Sequence, residues 1–236
     1  MLKSKVMSRV LLLDDTDDLN TVGQLGSILA KLAKNGVKIV DGFIIPIDQK
    51  IEFGMSNEIL TAFDRLSTER AILRSSINSQ TYDTETLRDI YRDSLLGAIS
   101  YLRQNNARRG HSAAVIVQRD LNAELAGTIH SINPVTMSPD EEMVEAHLWM
   151  NRTVLGGESE PDMLIINKRT GALSLESEEE AEICLGPKQI SQLHAMVRKI
   201  EDRLKCDVSV DWAYDNGKLY VLRARPITNK TLERFK

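Results

Sequence analysis

Val208-Ser209-Val210-Asp211-Trp212-Ala213-Tyr214, then Asp215-Asn216-Gly217, then Lys218-Leu219-Tyr220-Val221-Leu222-Arg223-Ala224-Arg225-Pro226, reads as two strands joined by a tight turn. Val208, Val210 and Trp212 alternate with Ser209, Asp211 and Ala213, the period of a strand with one buried face. Asn216-Gly217 supplies the residues that most readily take positive φ. On the return strand Tyr220, Leu222 and Ala224 share one face, and Arg223 and Arg225 share the other with Leu219 and Val221. The two apolar sets meet only in an even-sum register such as Asp215 opposite Leu219, because a one-residue slip turns every side chain over. That register sets Asp211 opposite Arg223, with Arg225 two residues along. An acid and two guanidinium groups on one strand face suit a nucleotide-phosphate and metal site. They equally suit a plain ion pair.

The rest of the chain sets the limits. At 236 residues it can bury a substantial core, as one large domain or two lobes. With 42% hydrophobic and 27% charged residues and a net charge of -4, it has the composition of an ordinary globular protein and is a poor general nucleic-acid binder. No run approaches the roughly 18 apolar residues of a membrane span, and Met1 to Leu13 is too short and poorly flanked for a signal peptide. Cys184 and Cys206 lack metal-type spacing, so a reducing, cytoplasmic setting is expected, in which the sequons at Asn151 and Asn229 carry no meaning.

Taken in order, Arg9 to Leu13 reads as a short strand ending in the acidic run Asp14, Asp15, Asp17, Asp18, either a solvated loop or a divalent-cation site. Val22, Leu25, Ile28, Leu29 and Leu32 recur at helical spacing before Gly36. Val37 to Val40 and Phe43 to Ile45 are strand material, and Ile59 to Leu66 a second helix. Ala71-Ile72-Leu73 runs into Arg74-Ser75-Ser76, whose cation and hydroxyls either hold phosphate oxygens or cap a loop. From Thr84 to Leu102 the spacing predicts one long helix, followed by a polar connector, Asn105 to Gly110. Arg103, Arg108 and Arg109 read as solvated surface. Strands follow at Ala113–Gln118, Leu125–His130 and Asp162–Asn167, and a last helix carries Ile190, Leu193, Val197, Ile200 and Leu204. His130, His147 and His194 show no metal-type pairing. Interleaved strands and helices without a repeat predict α+β or α/β in two lobes.

Five stretches, in order, resemble the N-terminal ATP-grasp nucleotide-binding domain of the pyruvate phosphate dikinase and phosphoenolpyruvate synthase family. They are Val22-Gly23 to Leu32 with Gly36-Val37 and Asp41-Gly42-Phe43-Ile44-Ile45; Ile72-Leu73-Arg74-Ser75-Ser76; Val115-Ile116-Val117-Gln118 through Ala126-Gly127 to Asn133-Pro134-Val135-Thr136; Val144-Glu145-Ala146 to Gly157 with Pro161-Asp162; and Asp207-Val208 through Asp211-Trp212 to Arg225-Pro226-Ile227-Thr228. The resemblance implies a two-lobed ATP-grasp-like α+β fold, with a first lobe over residues 1–110 and a second over 111–236. It implies ATP and magnesium as cofactors. By the same resemblance Arg74 contacts the phosphates, Gln118 falls in the segment that runs past the adenine, and Glu145 corresponds to a carboxylate near the ribose. Asp211 replaces a magnesium-holding glutamate, and Arg225 corresponds to the arginine beside the transferred phosphoryl group, along the wall of the nucleotide cleft.

The departures bear on activity. Gly23-Gln24-Leu25-Gly26 puts Leu25 where the family has a phosphate-binding lysine. The glycine-rich loop expected after Arg-Ser-Ser is missing, since Ile77 to Asp83 leads almost directly into the expected helix. Leu148-Trp149-Met150-Asn151-Arg152 replaces Trp-Gly-Leu-Gly-Glu, Met137 stands where a glycine often follows Asn-Pro-Val-Thr, and Arg223 replaces a glutamine. An arginine opposite Asp211 competes with magnesium for the carboxylate, which predicts an Asp211–Arg223 ion pair. Alternatively, Arg223 makes good the cation lost at Leu25. Two functions follow from the resemblance. One is an ATP-binding domain that, if active, hands a phosphoryl group to a histidine on a separate phosphocarrier protein or larger complex through Asp211, Arg223 and Arg225. The other is a catalytically degenerate homologue that serves as a binding or assembly subunit.

Overall fold

The computed structural model describes residues 10–49, 53–79, 85–148, 162–175 and 184–228. The expectations placed on Met1 to Arg9, residues 80–84, Trp149 to Arg152, Gly157, Pro161, Asn151 and Asn229 lie outside these residues. The chain divides into two compact units, Met1–Asn35 with Val40–Asp120, and Gly36–Ile39 with Leu121–Lys236.

The first unit is an antiparallel sheet in the order β1 (Leu11–Leu12), β2 (Gly42–Ile45), β5 (Ala113–Arg119), β3 (Arg70–Ile77), β4 (Thr86–Tyr91). Ala113–Arg119, expected in the second lobe, hydrogen-bonds between β2 and β3 at the centre of this sheet. Phe43, Ile45, Leu73, Val115 and Val117 line one face. Against it pack Met55, Ile59 and Phe63 of α2 (Phe53–Arg65) and Leu95, Ile99 and Leu102 of α3 (Leu95–Arg108). Alternation places Arg74, Ser76, Ile116 and Gln118 on the other face, where Ser76 bonds to α1 (Leu19–Lys34).

One expectation fails here. Leu87, Ile90 and Tyr91 fit a helical period, yet Thr86–Tyr91 is an edge strand on β3, and the helix begins only at Leu95 after a tight turn at Arg92–Ser94. The backbone edge of β3 overrides the local spacing, and a register irregularity between Ala71 and Leu73 absorbs the mismatch. The expected polar connector from Asn105 is also helical as far as Arg108.

The second unit is antiparallel in the order β11 (Lys218–Pro226), β10 (Val208–Asp215), β6 (Leu125–His130), β7 (Glu141–Leu148), β8 (Asp162–Asn167), β9 (Leu173–Leu175). Helix α4 (Pro187–Leu204) covers one face through Ile190, Leu193, Val197 and Ile200. The Tyr214 hydroxyl donates to Gln192 Oε1 at 2.9 Å and ties that helix to β10. Trp212 is fully buried on the same face, lying where a Cβ on Gly127 would come within 2.8 Å of its ring. Any larger residue at 127 would also strike the Glu145 carbonyl oxygen at 1.9 Å, so Gly127 is what lets β6 accept the indole and β7 together. Val37 to Val40 forms no strand beyond a single parallel bridge from Ile39 to Val221.

The terminal hairpin has two registers. Asn216 and Gly217 take φ of 51° and 66° and close a two-residue loop, which pairs Asp215 with Lys218 and Trp212 with Val221. A bulge at Leu222 then restores the even-sum register, so that Asp211 faces Arg223 and Ser209 faces Arg225. The expected pairing of Asp215 with Leu219 is therefore replaced by Tyr214 with Leu219, and Val221, not Tyr220 or Leu222, shares the face of Trp212.

Candidate functional site

Pairing across the second sheet brings Arg223, Asp211, Thr128 and Glu145 into one transverse row on the face away from α4. Two residues along, Arg225, Ser209, His130 and Met143 form a second row on that face. Arg223 Nε and Nη2 both donate to Asp211 Oδ2 at 2.7 Å, and Thr128 Oγ1 donates to Oδ1 at 3.3 Å. His130 Nε2 stands 3.6 Å from Glu145 Oε1. Ser209 Oγ is buried and has no hydrogen-bond partner among the described residues. The side chains of Asp211 and Arg223 are 23% and 25% exposed, so their attraction is only partly screened by solvent.

The donor set does not fit the implied magnesium. A magnesium ion demands near-octahedral oxygen ligands at about 2.0–2.1 Å, whereas Asp211 Oδ2 already receives two guanidinium N–H groups. With a unit charge about 4 Å from the divalent ion, the repulsion is about 8 kcal/mol at an effective dielectric constant of roughly 20. Among the described residues no group of three or more His, Cys, Asp or Glu side chains is placed to hold a metal ion.

In the first unit Arg74 and Gln118 come together. Arg74 Nη1 donates to Gln118 Oε1 at 2.5 Å, and Gln118 Nε2 donates to the Val40 carbonyl at 3.1 Å, both side chains being buried. The two hydroxyls after Arg74 cap local structure. Ser76 Oγ donates to the Val22 carbonyl at 2.7 Å and accepts from Gly26 N–H at 3.0 Å, and Ser75 Oγ accepts from Glu85 N–H at 3.0 Å. Ser76 thereby satisfies backbone groups freed where α1 breaks at Gly23, whose φ of 69° and ψ of 179° are open only to glycine. Leu25 is 4% exposed, a core residue at the place of the family's lysine.

Other sequence signals resolve into local structure. Asp15 accepts from Leu12 N–H, Asp17 pairs with Lys34 at 2.7 Å, and Asp18 accepts from Thr21 Oγ1, so these acids serve turn and helix start. Lys34 beside Asp17 holds its carboxyl below the usual range. Arg103, expected in solvated surface, donates to the Pro46 and Gln49 carbonyls, and burial pulls its guanidinium pKa down. Thr128 and His130 join Ser209 and Asp211 on the polar face, which the sequence alone does not reveal. Their two-residue spacing within strands was visible, but their strand neighbours were not.

The family described as "Pyruvate phosphate dikinase, AMP/ATP-binding domain" matches residues 86–176 and 168–235. The chain belongs to this family. Among curated relatives of this dikinase-family chain, a probable phosphoenolpyruvate synthase of Methanocaldococcus jannaschii is 30% identical over 138 residues, covering 49% of this chain and 12% of the relative. The phosphoenolpyruvate synthase of Pyrococcus furiosus is 29% identical over 146 residues, 49% of this chain and 18% of the relative. An uncharacterized phosphotransferase, YvkC of Bacillus subtilis, is 24% identical over 293 residues, 94% of this chain and 35% of the relative. The dikinase-family chain thus spans 12–35% of the length of these relatives. Among solved structures, the ADP complex of N5-carboxyaminoimidazole ribonucleotide synthetase aligns with a TM-score of 0.52 at 13% identity, over 90% of this chain and 46% of that one. D-alanine–D-alanine ligase from Bacillus anthracis aligns with a TM-score of 0.51 at 12% identity, over 85% and 55%. The fold of the dikinase-family chain is α+β and ATP-grasp-like.

Proposed function

We propose that this domain binds an adenine nucleotide and has lost the metal-assisted transfer step, serving as a binding or assembly subunit. The observation that carries the reading is the Asp211 carboxylate, whose Oδ2 is taken by two guanidinium N–H groups at 2.7 Å. Arg225 and Arg223 supply positive charge toward phosphate oxygens, and Glu145 an acceptor for ribose hydroxyls. For Arg74 and Gln118 of the first unit, the phosphate and adenine roles rest on the family pattern alone, and taking them up means giving up the hydrogen bond between them. Membership of an AMP/ATP-binding family supports the nucleotide. No helix among the described residues is long and apolar enough to cross a membrane, and we expect the cytoplasm as the working compartment.

A second reading draws on Arg223 and Arg225 standing two residues apart on one face. Two fixed cations offset charge on a moving phosphoryl group, with a histidine on a separate phosphocarrier protein or larger complex as acceptor. Two measurements test the first reading. Thermal melting with ATP at 100 times its dissociation constant should raise stability by about 2.7 kcal/mol. Incubation with ATP and magnesium should release no ADP or AMP above buffer. An unchanged melting curve at millimolar ATP contradicts nucleotide binding, and steady product release contradicts loss of catalysis.

A further inference from the structure

We propose that the Asp211–Arg223 pair makes this face a metal-independent polyphosphate site, whose ligand is a nucleoside polyphosphate without a bound divalent cation. The inference rests on the nucleotide reading above and specifies the charge state of the ligand. Both carboxylate oxygens of Asp211 are engaged by side chains on the same sheet face, Oδ2 by two N–H groups of Arg223 and Oδ1 by the Thr128 hydroxyl. A guanidinium therefore already sits on the carboxylate oxygen that a divalent cation would need. Arg225 stands two residues along the same strand, and Ser209, paired across from it, keeps a buried hydroxyl with no acceptor among the described residues. Two guanidinium groups on one face, one of them only partly offset by the single Asp211 carboxylate, fit phosphate oxygens. A magnesium-complexed nucleotide brings a divalent charge toward both arginines, which opposes binding, whereas the uncomplexed polyphosphate brings only negative charge.

Calorimetric titration of the full chain with ATP, once in EDTA and once in excess magnesium, tests this. Binding in EDTA is expected to be tighter by about threefold or more, and Arg223→Gln to weaken it about tenfold. Asp211→Asn is the sharper variant because the sign differs between accounts. Releasing Arg223 from its counter-charge should tighten uncomplexed ATP, whereas loss of a metal ligand should weaken magnesium-ATP. Arg223→Lys keeps the charge and should keep the preference for EDTA, which preserves the test if the glutamine variant misfolds. Manganese alone, followed by electron paramagnetic resonance on the nucleotide-free chain, should show no bound ion. Bound manganese abolished by Asp211→Asn overturns the proposal, as does ATP binding seen only with magnesium, and the latter leaves the nucleotide reading standing. Failure of ATP to bind in both media overturns that reading and this proposal with it.

Discussion

At Asp211 two guanidinium N–H groups converge on one oxygen, and the second oxygen depends on Thr128. Arg223→Ala leaves a partly buried carboxylate with that hydroxyl contact, and should cost about 1–2 kcal/mol, between surface and buried pairs, read as a lower urea midpoint. Met137 holds φ of 62° with its side chain half exposed. Met137→Gly removes left-handed strain of about 1–2 kcal/mol and adds roughly 0.5–1 of chain entropy, so a net gain of about 0.5–1 kcal/mol is expected on chemical denaturation. Glu142 is buried, with Oε2 2.8 Å from His194 Nδ1 and Oε1 without a hydrogen-bond partner among the described residues. Burial pushes its carboxyl above the ordinary 4.5, and His194 pulls the other way. A raised folded-state value means that its contribution is full below 4.5 and is lost as pH rises through the raised value. Glu142→Gln should remove that part of the decline, so urea midpoints of the variant fall less than wild type as pH is raised from 4.5. At this scale the Asp211–Arg223 pairing was legible, because alternation and a favoured turn constrain it. The use of Ser75 and Ser76 was not, because a hydroxyl serves a phosphate or a backbone carbonyl equally well.

The first helix shows how an element keeps a motif's shape without its chemistry. Gly23 breaks α1 beside Ser76, and a Cβ there would meet the Ser76 carbonyl oxygen at 2.3 Å. Leu25, two residues on, packs into the core. Leu25→Lys therefore should not restore a phosphate contact. Burying an ammonium without a partner should lower stability by about 3 kcal/mol or more, with no tighter ATP binding by calorimetry; a stable variant with improved affinity would refute the placement. The terminal hairpin was legible as an element and mistaken in detail. A two-residue Asn-Gly loop forces an odd register sum, the charged pair needs an even one, and the bulge at Leu222 reconciles them. Nothing in the local pattern marks Leu222 as the place where the extra residue goes. Thr86–Tyr91 misled for a related reason, since a neighbouring strand edge, invisible along the chain, decided between two periods that both fit.

For the whole molecule, the order of five weak motifs carried the fold, and the family match over residues 86–235 agrees with it. Strand assignment was harder. Residues 113–117 of the strand Ala113–Arg119 are apolar on both sides, which identifies a central strand without naming its sheet. The alignment with YvkC runs over 293 positions while taking in 94% of 236 residues, so that relative carries segments this chain lacks. A member of a nucleotide-binding family with a guanidinium on the carboxylate that would hold the cation is the account to test. The most direct measurement is the arginine Nε–H nuclear magnetic resonance spectrum of isotope-labelled chain, assigned by substitution, during titration with ATP in EDTA. Resonances of Arg223 and Arg225 should move together and saturably, while Arg92, paired with Asp64 on the first unit's surface, stays fixed. Shifts at Arg92 with none at Arg223 and Arg225, or movement of these two only once magnesium is added, would contradict it.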